Sequence, residues 1–502
     1  MPPSLPPLGS LRPAPPVEPG VRESLLILSD VHLGSDLNAH ARAVDLERRS
    51  PLDRDLVDLV RHYRAEKPPP PGARRERWRL VLAGDFIDFI GMSVHPDGAT
   101  LETPLDDEER AHGLGSASDH ARLKLALVAR RHARIFDELG AFLADGHAIT
   151  FIHGNHDPEL QWASVQRGLR EVLRASAASV GHVGELDARV DFQPWFFHVD
   201  GVAYVEHGHQ YDTMCATERV LSPRSPLDPR RMARGFTDVL LRTVVRPTRG
   251  LREHGHDRMR LVDYLAFAAR LGVTGMLALG GRFVAAIVAL LRLQRAHLGG
   301  AARAIREEHE RRMEALSAAT RVGLDKLRAL AALQAPPITR SARGVLGSLM
   351  VDSLLLHAVG AVATAVLIAL AAWHPSRGAW ALALPAMVAA WVGLHASFAR
   401  ARTIDPTAAL AERAHHLARL FPTTAFVVMG HTHVPTTQPI AHTAATYVNL
   451  GSWAEEAAGA DDAGTHDAAR THLVIQRGDA GPTAELRAWD PALRAPRRYD
   501  AG

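Results

Sequence analysis

The sequence predicts an α/β protein interrupted by a large all-helical insertion. Three observations carry that expectation. Short apolar runs recur along the chain, and each ends abruptly in a polar cluster. The stretches between the first of them have helical periodicity, the alternation expected of strand–helix–strand units. About two hundred residues between His209 and Gly430 are instead rich in Ala, Leu and Arg, with almost no strand signal. At 502 residues the chain is long enough for two or three domains with ample core.

Charge and composition exclude several classes. There are 58 Lys and Arg against 55 Asp and Glu, a net charge of +3 with both signs interspersed. No basic stripe with interleaved aromatics is present, so no specific nucleic-acid binding is expected. The single cysteine, Cys215, excludes an internal disulfide and a cysteine-rich zinc site, and is expected to pack as a small apolar side chain. Histidine is the oddity, with 28 in the chain. Several fall at strand ends, whereas His40, His62 and His132 fall on helix surfaces and read as solvated. Residues 1–20 hold eight prolines and no long apolar run, which suits a disordered tail and not a signal peptide.

In chain order, the first strand is Ser24–Leu28, followed by Ser29-Asp30-Val31-His32-Leu33-Gly34. In an extended segment residues i and i+2 share a face, so Asp30 and His32 can converge on one ion. A carboxylate with an imidazole suits Mn, Fe or Zn. An amphipathic helix (Ala39 to Ala65), a Pro-rich loop and the patch Arg74-Arg75-Glu76-Arg77 follow, the patch reading as solvated surface. The second strand, Arg79–Ala83, runs into Gly84-Asp85-Phe86-Ile87-Asp88. A helical stretch from His120 to Leu143 leads to the third strand, Ala148–Ile152, and then to His153-Gly154-Asn155-His156-Asp157. Ligands bind at the carboxyl ends of strands in α/β proteins, and Gly154 lets the backbone approach closely.

A fourth run, Val202–Val205, ends in Glu206-His207-Gly208-His209, and a fifth, Ala425–Met429, ends in Gly430-His431-Thr432-His433. The strand Thr446–Val448 leads to Asn449-Leu450-Gly451-Ser452-Trp453, with Trp453 expected to close the core. Candidate strands at His472–Gln476 and Ala484–Trp489 complete the chain.

Within the insertion, Ile305 to Leu333 reads as one amphipathic helix with Glu and Arg at i, i+4 spacing. Ser353–Ser376 and Gly378–Ala399 contain no Asp, Glu, Lys or Arg, and each approaches the length of a bilayer crossing. Arg340 and Arg343 precede the pair, and Arg400 and Arg402 follow it. That pattern predicts a transmembrane helical hairpin over 353–399 with both ends in the cytoplasm. Leu271–Leu291 carries Arg282 at its centre and suits an interfacial or buried helix better.

Five apolar strands thus end, in order, in D-x-H, G-D-x-x-D, G-N-H-D, H and G-H-x-H. With these motifs the chain resembles the calcineurin-like metallophosphoesterase superfamily over about 1–215 and 420–502. The resemblance implies a four-layer α/β sandwich split into 21–215 and 420–502, with 216–419 as the helical insertion.

It also implies a centre of two divalent cations, Mn first and Fe or Zn otherwise. Asp30, His32 and His433 would hold one. Asn155, His207 and His431 would hold the other, with Asp85 bridging. His209 also faces this site, and His207 is favoured over it because it follows the strand directly. His156 would face the phosphate, oriented by Asp88. Two such cations clamp phosphoryl oxygens and acidify the attacking water. His153 is assigned no chemical role.

Ser29-Asp30-Val31-His32-Leu33-Gly34, His207-Gly208 and Asn449-Leu450-Gly451-Ser452-Trp453 look like the UDP-2,3-diacylglucosamine pyrophosphatase branch. Its members also carry a helical insertion before the G-H-x-H. This chain departs in having His156 where the branch has Arg, His209 where it has an acid, and a longer insertion. The expected function is therefore a metal-dependent hydrolase on the cytoplasmic membrane, its catalytic domain facing the cytoplasm. Its substrate would be a phosphoester or pyrophosphate of a lipid or lipid-linked nucleotide. The alternatives are a phosphodiesterase on soluble substrates and a membrane scaffold whose phosphoesterase domain only binds partners.

Overall fold

The computed structural model describes residues 7–11, 21–38, 43–65, 75–96, 98, 100–181, 186–248, 266–267, 269–349, 351–373, 377–402, 405–454 and 469–499. It is a mixed α/β structure with two mixed sheets. The strands are β1 (Val21–Leu28), β2 (Arg75–Ala83), β3 (Ala148–Ile152), β4 (Val190–Gln193), β5 (Phe196–Val199), β6 (Ala203–Glu206), β7 (Phe426–Met429), β8 (Thr436–Pro439), β9 (Thr446–Asn449), β10 (Thr471–Gly478), β11 (Gly481–Asp490) and β12 (Ala495–Arg498). One sheet has the order β12-β11-β10-β1-β2-β3-β4 and the other β5-β6-β7-β9-β8. The strands β1 to β4 run parallel, as do β6, β7 and β9. Parallel strands place their carboxyl ends on one edge, so the polar cluster after each strand lands beside its neighbour's.

The inner faces of the sheets pack through Leu25, Ile27, Val81, Ala83 and Ile152 from one and Ala203, Val205, Val428 and Val448 from the other. The helices Ala43–Arg64, Ala133–Ala144 and Ala163–Ala178 cover the outer face of the first sheet, where Trp453 is buried as expected. Pro406–Leu420 covers the second sheet together with Met313, Leu316, Leu327 and Leu330 of the insertion. The insertion is thus partly a layer of the core.

Several sequence expectations are corrected. Arg77 is not on a solvated patch but is buried with Arg79 against the Glu23 carboxylate, at 2.5 and 2.8 Å. The β2 strand begins at Arg75, which puts residues 77 and 79 on the same face as Glu23 of β1. His132 is also buried, breaking the stretch from 120 to 143 into Ser118–Arg131 and Ala133–Ala144 and bonding Asp53 at 2.7 Å. His62 is half-buried, and His40 lies outside the described residues. Ile305 to Leu333 is two helices, Gly300–Thr320 and Leu324–Ala332, parted where Arg321 adopts φ 59°. Within the tail expected to be disordered, Gly9 N–H donates to Gln161 O at 2.7 Å, fixing the segment 7–11 to the body.

The stretch 353–399 forms two helices, Val351–Trp373 and Arg377–Arg402, that meet through the rings of His357, Trp391 and His395. Leu355, Val359, Val362, Val366, Val388 and Val392 are exposed, so these helices are not buried within the protein. Among the described residues, the helix long and apolar enough to cross a membrane is Gly272–Ala296, while Leu355–Leu370 is a shorter apolar stretch within Val351–Trp373.

Removing one partner of a buried ion pair leaves an uncompensated charge. Glu23→Ala is therefore expected to lower the unfolding free energy by about 3–5 kcal/mol in urea titrations. A loss under about 1 kcal/mol, the range of exposed pairs, would mean that water already solvates these guanidinium groups.

Candidate metal centre

The site is built where five strand ends meet. Asp30 and His32 follow β1, Asp85 and Asp88 follow β2, Asn155 and His156 follow β3, His207 follows β6, and His431 and His433 follow β7. Their backbones are laced together. Asp30 N–H donates to Gly84 O at 3.2 Å, His32 N–H to Asp85 O at 2.9 Å, and Gly430 N–H to His207 O at 2.9 Å. Asp157 closes the lacing, its carboxylate accepting from Gly154 N–H at 2.6 Å and Phe86 N–H at 2.9 Å.

Asp30 and His32 converge, with Nε2 and Oδ1 3.9 Å apart, but strand alternation is not the reason. β1 stops at Leu28, and Asp30 and His32 adopt φ 56° and 51°. Asp85, His431 and His433 are also left-handed, at 52°, 72° and 58°. Such backbone costs of order 1–3 kcal/mol per residue and concentrates at functional sites. Of the nine described non-glycine residues with positive φ, five are candidate ligands. Two glycines make room. At Gly84, with φ 93°, a Cβ would overlap the His207 ring, and at Gly154 it would overlap the Asp85 carboxylate.

The donor atoms have the spacing of ligands around shared ions. His433 Nε2 is 3.1 Å from Asp30 Oδ1, and His207 Nε2 is 3.2 Å from Asp85 Oδ2 and 3.3 Å from Asn155 Oδ1. His32 Nε2 is 4.0 Å from the same Asp85 oxygen. Atoms about 2.1 Å from one cation lie roughly 3–4 Å from each other. Asp85 Oδ2 therefore stands between His32 and His207, as a bridging ligand must, while its Oδ1 accepts His156 N–H at 2.8 Å.

The donor chemistry fits a cation as well. His207 Nδ1–H donates to Ala83 O at 2.9 Å, which leaves Nε2 without a proton in the neutral ring, facing two acceptors. Either the ring is an imidazolium or a cation lies between these atoms. Burial disfavours the imidazolium, yet the Asp85 and Asp30 carboxylates outweigh it and raise His207 to about 9. His32 is the reverse case, with burial and the neighbouring His156 lowering it to about 3. Its Nε2 is buried and has no hydrogen-bond partner among the described residues, which leaves the atom open to a ligand bond.

His156 and Asp88 pair as expected. Nδ1 donates to Asp88 Oδ1 at 2.8 Å, and the Asp85 and Asp88 charges overcome burial to raise the imidazole to about 10. Asp88 stays ionised well below the usual carboxylate range. Burial opposes this, but the His156 and Arg246 charges prevail.

Sequence reasoning missed Arg246, whose Nη2 lies 3.2 Å from Asp88 Oδ2. It also missed Asp212, whose Oδ2 accepts from His431 Nε2 at 3.1 Å and leaves Nδ1 as the other donor atom of that ring. Cys215, buried as expected, adds a sulfur beside Asp212 and His431. No local motif marks these three residues. Their only signal was proximity in sequence to His209 or membership of an Arg-rich helical region.

His209 Nε2 accepts from the Gln210 side-chain amide at 2.9 Å. His153 is buried against Gln161. Comparison with models of known protein families and with curated proteins finds no match to this chain.

Two expectations follow. Gly84→Ala should keep the fold by circular dichroism while weakening Mn²⁺ binding about 10–100-fold, the usual cost of disturbing a ligand's support. Unchanged affinity would remove His207 from the ligand set. Second, a cation needs His207 neutral, and His207 is held near 9. Mn²⁺ binding near neutral pH should therefore release a proton, and affinity should rise with pH until about 9. Calorimetry in buffers of differing ionisation enthalpy reads this directly.

Proposed function

We propose that this chain is a metal-dependent phosphoester or pyrophosphate hydrolase of the calcineurin-like metallophosphoesterase kind, acting at a membrane on a lipid or lipid-linked nucleotide. The observation that carries the reading is the convergence of Asp30, His32, Asp85, Asn155, His207 and His433 beside the His156–Asp88 pair, with the His431 ring 5.3 Å from that of His207. The two packed sheets with helices on their outer faces suit the sandwich that this resemblance implies.

In this reading Asp30, His32 and His433 hold one divalent cation, and Asn155, His207 and His431 hold a second, with Asp85 shared between them. Mn is the first candidate, with Fe or Zn possible from the same donors. When bound, the pair supplies Lewis-acid polarisation of phosphoryl oxygens and lowers the pKa of water. The remaining work belongs to the chain. Asp88, held by Arg246 and by Gly91 N–H at 2.8 Å, keeps His156 Nδ1 engaged. That fixes the His156 ring and reserves its Nε2–H for the phosphoryl oxygens or the departing oxygen. Asp212 holds the His431 ring by its Nε2. The exposed apolar side chains of Val351–Trp373 and Arg377–Arg402 support the membrane part of the reading, because water does not favour two such helices unburied.

Asp85→Ala and His431→Ala are each expected to lose bound metal and turnover together. His156→Ala should keep its metal, measured by elemental analysis, and lose about 10²–10⁴-fold in turnover, the usual contribution of such groups. The panel is UDP-diacylglucosamine, a phosphatidyl lipid, bis-p-nitrophenyl phosphate and a cyclic nucleotide, each with Mn²⁺ added and then chelated. Lipid turnover well above the soluble diesters supports the reading. Preference for the soluble diesters would reassign the substrate, and no metal-dependent turnover on any of them would overturn the proposal.

A further inference from the structure

The helix Gly272–Ala296 divides cleanly into two faces. Leu279, Ala286, Leu290 and Leu293 are buried, the first three packing on Phe236, Val239, Val244, Val345 and Leu349. The opposite face is solvent-exposed and carries Val273, Met276, Leu277, Val284 and Val288. Its other exposed residues up to 288 are Gly272, Thr274, Ala278, Gly280, Gly281 and Ala285. That is a face without a charge along about 24 Å of helix at about 1.5 Å per residue.

Arg282, whose central place argued against lipid contact, is on the inward side. Its Nη1 donates to Thr248 Oγ1 at 2.8 Å. The other arginines stand at the ends, with Arg270 exposed before the helix and Arg292 and Arg295 exposed in its last turns. An apolar stripe with cationic ends matches acyl chains bordered by anionic headgroups. The short helix Ala342–Ser348 packs on the inner face of Gly272–Ala296 through Val345, and it also contacts both Val351–Trp373 and Arg377–Arg402.

We propose that the outward face of Gly272–Ala296 lies in the plane of a lipid bilayer, as a second membrane contact separate from the 353–399 hairpin. The helix cannot sink deeply, because its inner face is seated on residues 236–248 of the body. That segment ends beside the site. Phe236–Leu240 and Leu241–Val245 are consecutive helical turns, and Arg246 follows them to hold Asp88, which holds His156. The lipid surface is then a few side chains from the acid–base pair. This geometry serves phosphoesters presented at the headgroup level, and it deepens the function proposed above, resting on it only for the presence of a membrane.

The test uses the full chain with single cysteines carrying a fluorophore at positions 277 and 284 (Leu277→Cys, Val284→Cys), at 362 in the hairpin (Val362→Cys) and at 227 as an exposed control (Leu227→Cys). All four native side chains are exposed, so the substitutions spare the core, and the native Cys215 is buried from the label. Vesicles of phosphatidylethanolamine and phosphatidylglycerol contain a spin-labelled acyl lipid as quencher. Quenching at 277 and 284 several-fold above that at 227 is the expected result.

Quenching at 362 with none at 277 and 284 would overturn this proposal and leave the hairpin standing. Quenching at 277 and 284 with none at 362 would support it and remove the hairpin instead. Quenching at neither place would overturn both. Shielding of 277 and 284 without lipid, together with a doubled mass in sedimentation, would assign the face to a second copy of the chain and also overturn the proposal.

Discussion

The Asp85 carboxylate, buried at the carboxyl end of β2, accepts the His156 N–H with one oxygen and faces the imidazoles of His32 and His207 with the other. A carboxylate so placed is costly unless positive charge compensates it. Much of the nearby structure answers that requirement. Gly154 and Gly84 lack side chains where one would collide with Asp85 or with the ring of His207. Asp157 gathers backbone N–H groups of both loops. Five of the candidate ligands adopt left-handed backbone just after the strands that carry them.

A second layer of support comes from far along the chain. Asp212 steadies His431, and Arg246 steadies Asp88, each through a buried or nearly buried charge-assisted bond. Such bonds to the free nitrogen of a ligand imidazole, or to the partner of an acid–base histidine, fix ring orientation and tautomer. Both residues belong to the stretch after β6, as do the helices that cover the second sheet. The insertion is therefore more than an appendage to the α/β body. It contributes side chains to the core and support to the site, and it also carries the apolar outward surfaces.

The parts of the fold legible in the sequence were those fixed by local pattern. Apolar runs with β-branched residues gave β1, β2, β3, β6, β7, β9, β10 and β11, and the polar residues after them gave the candidate ligands by name. The strands β4, β5, β8 and β12 are edge strands of 4 residues each; Thr436–Pro439 and Ala495–Arg498 carry little apolar signal, and the apolar runs of Val190–Gln193 and Phe196–Val199 are too short to stand out. His132 and Arg77 looked solvated because helical and basic patterns usually are. Their burial depends on partners, Asp53 for one and Glu23 for the other, that no local window contains.

What the sequence by itself determined is thus most of the strands and the chemistry of the groups that end them, because hydrophobic periodicity and residue type are local properties. Only the tertiary structure decided how those groups face one another. Strand alternation predicted that Asp30 and His32 would meet, but they meet through left-handed backbone after the strand has ended. The approach of His207 to Asp85, the arrival of Asp212 and Arg246, and the inward turn of Arg282 all depend on contacts between distant segments. Such contacts are set by how sheets and helices dock, and docking is decided by the packing of the whole core and not by any stretch within it.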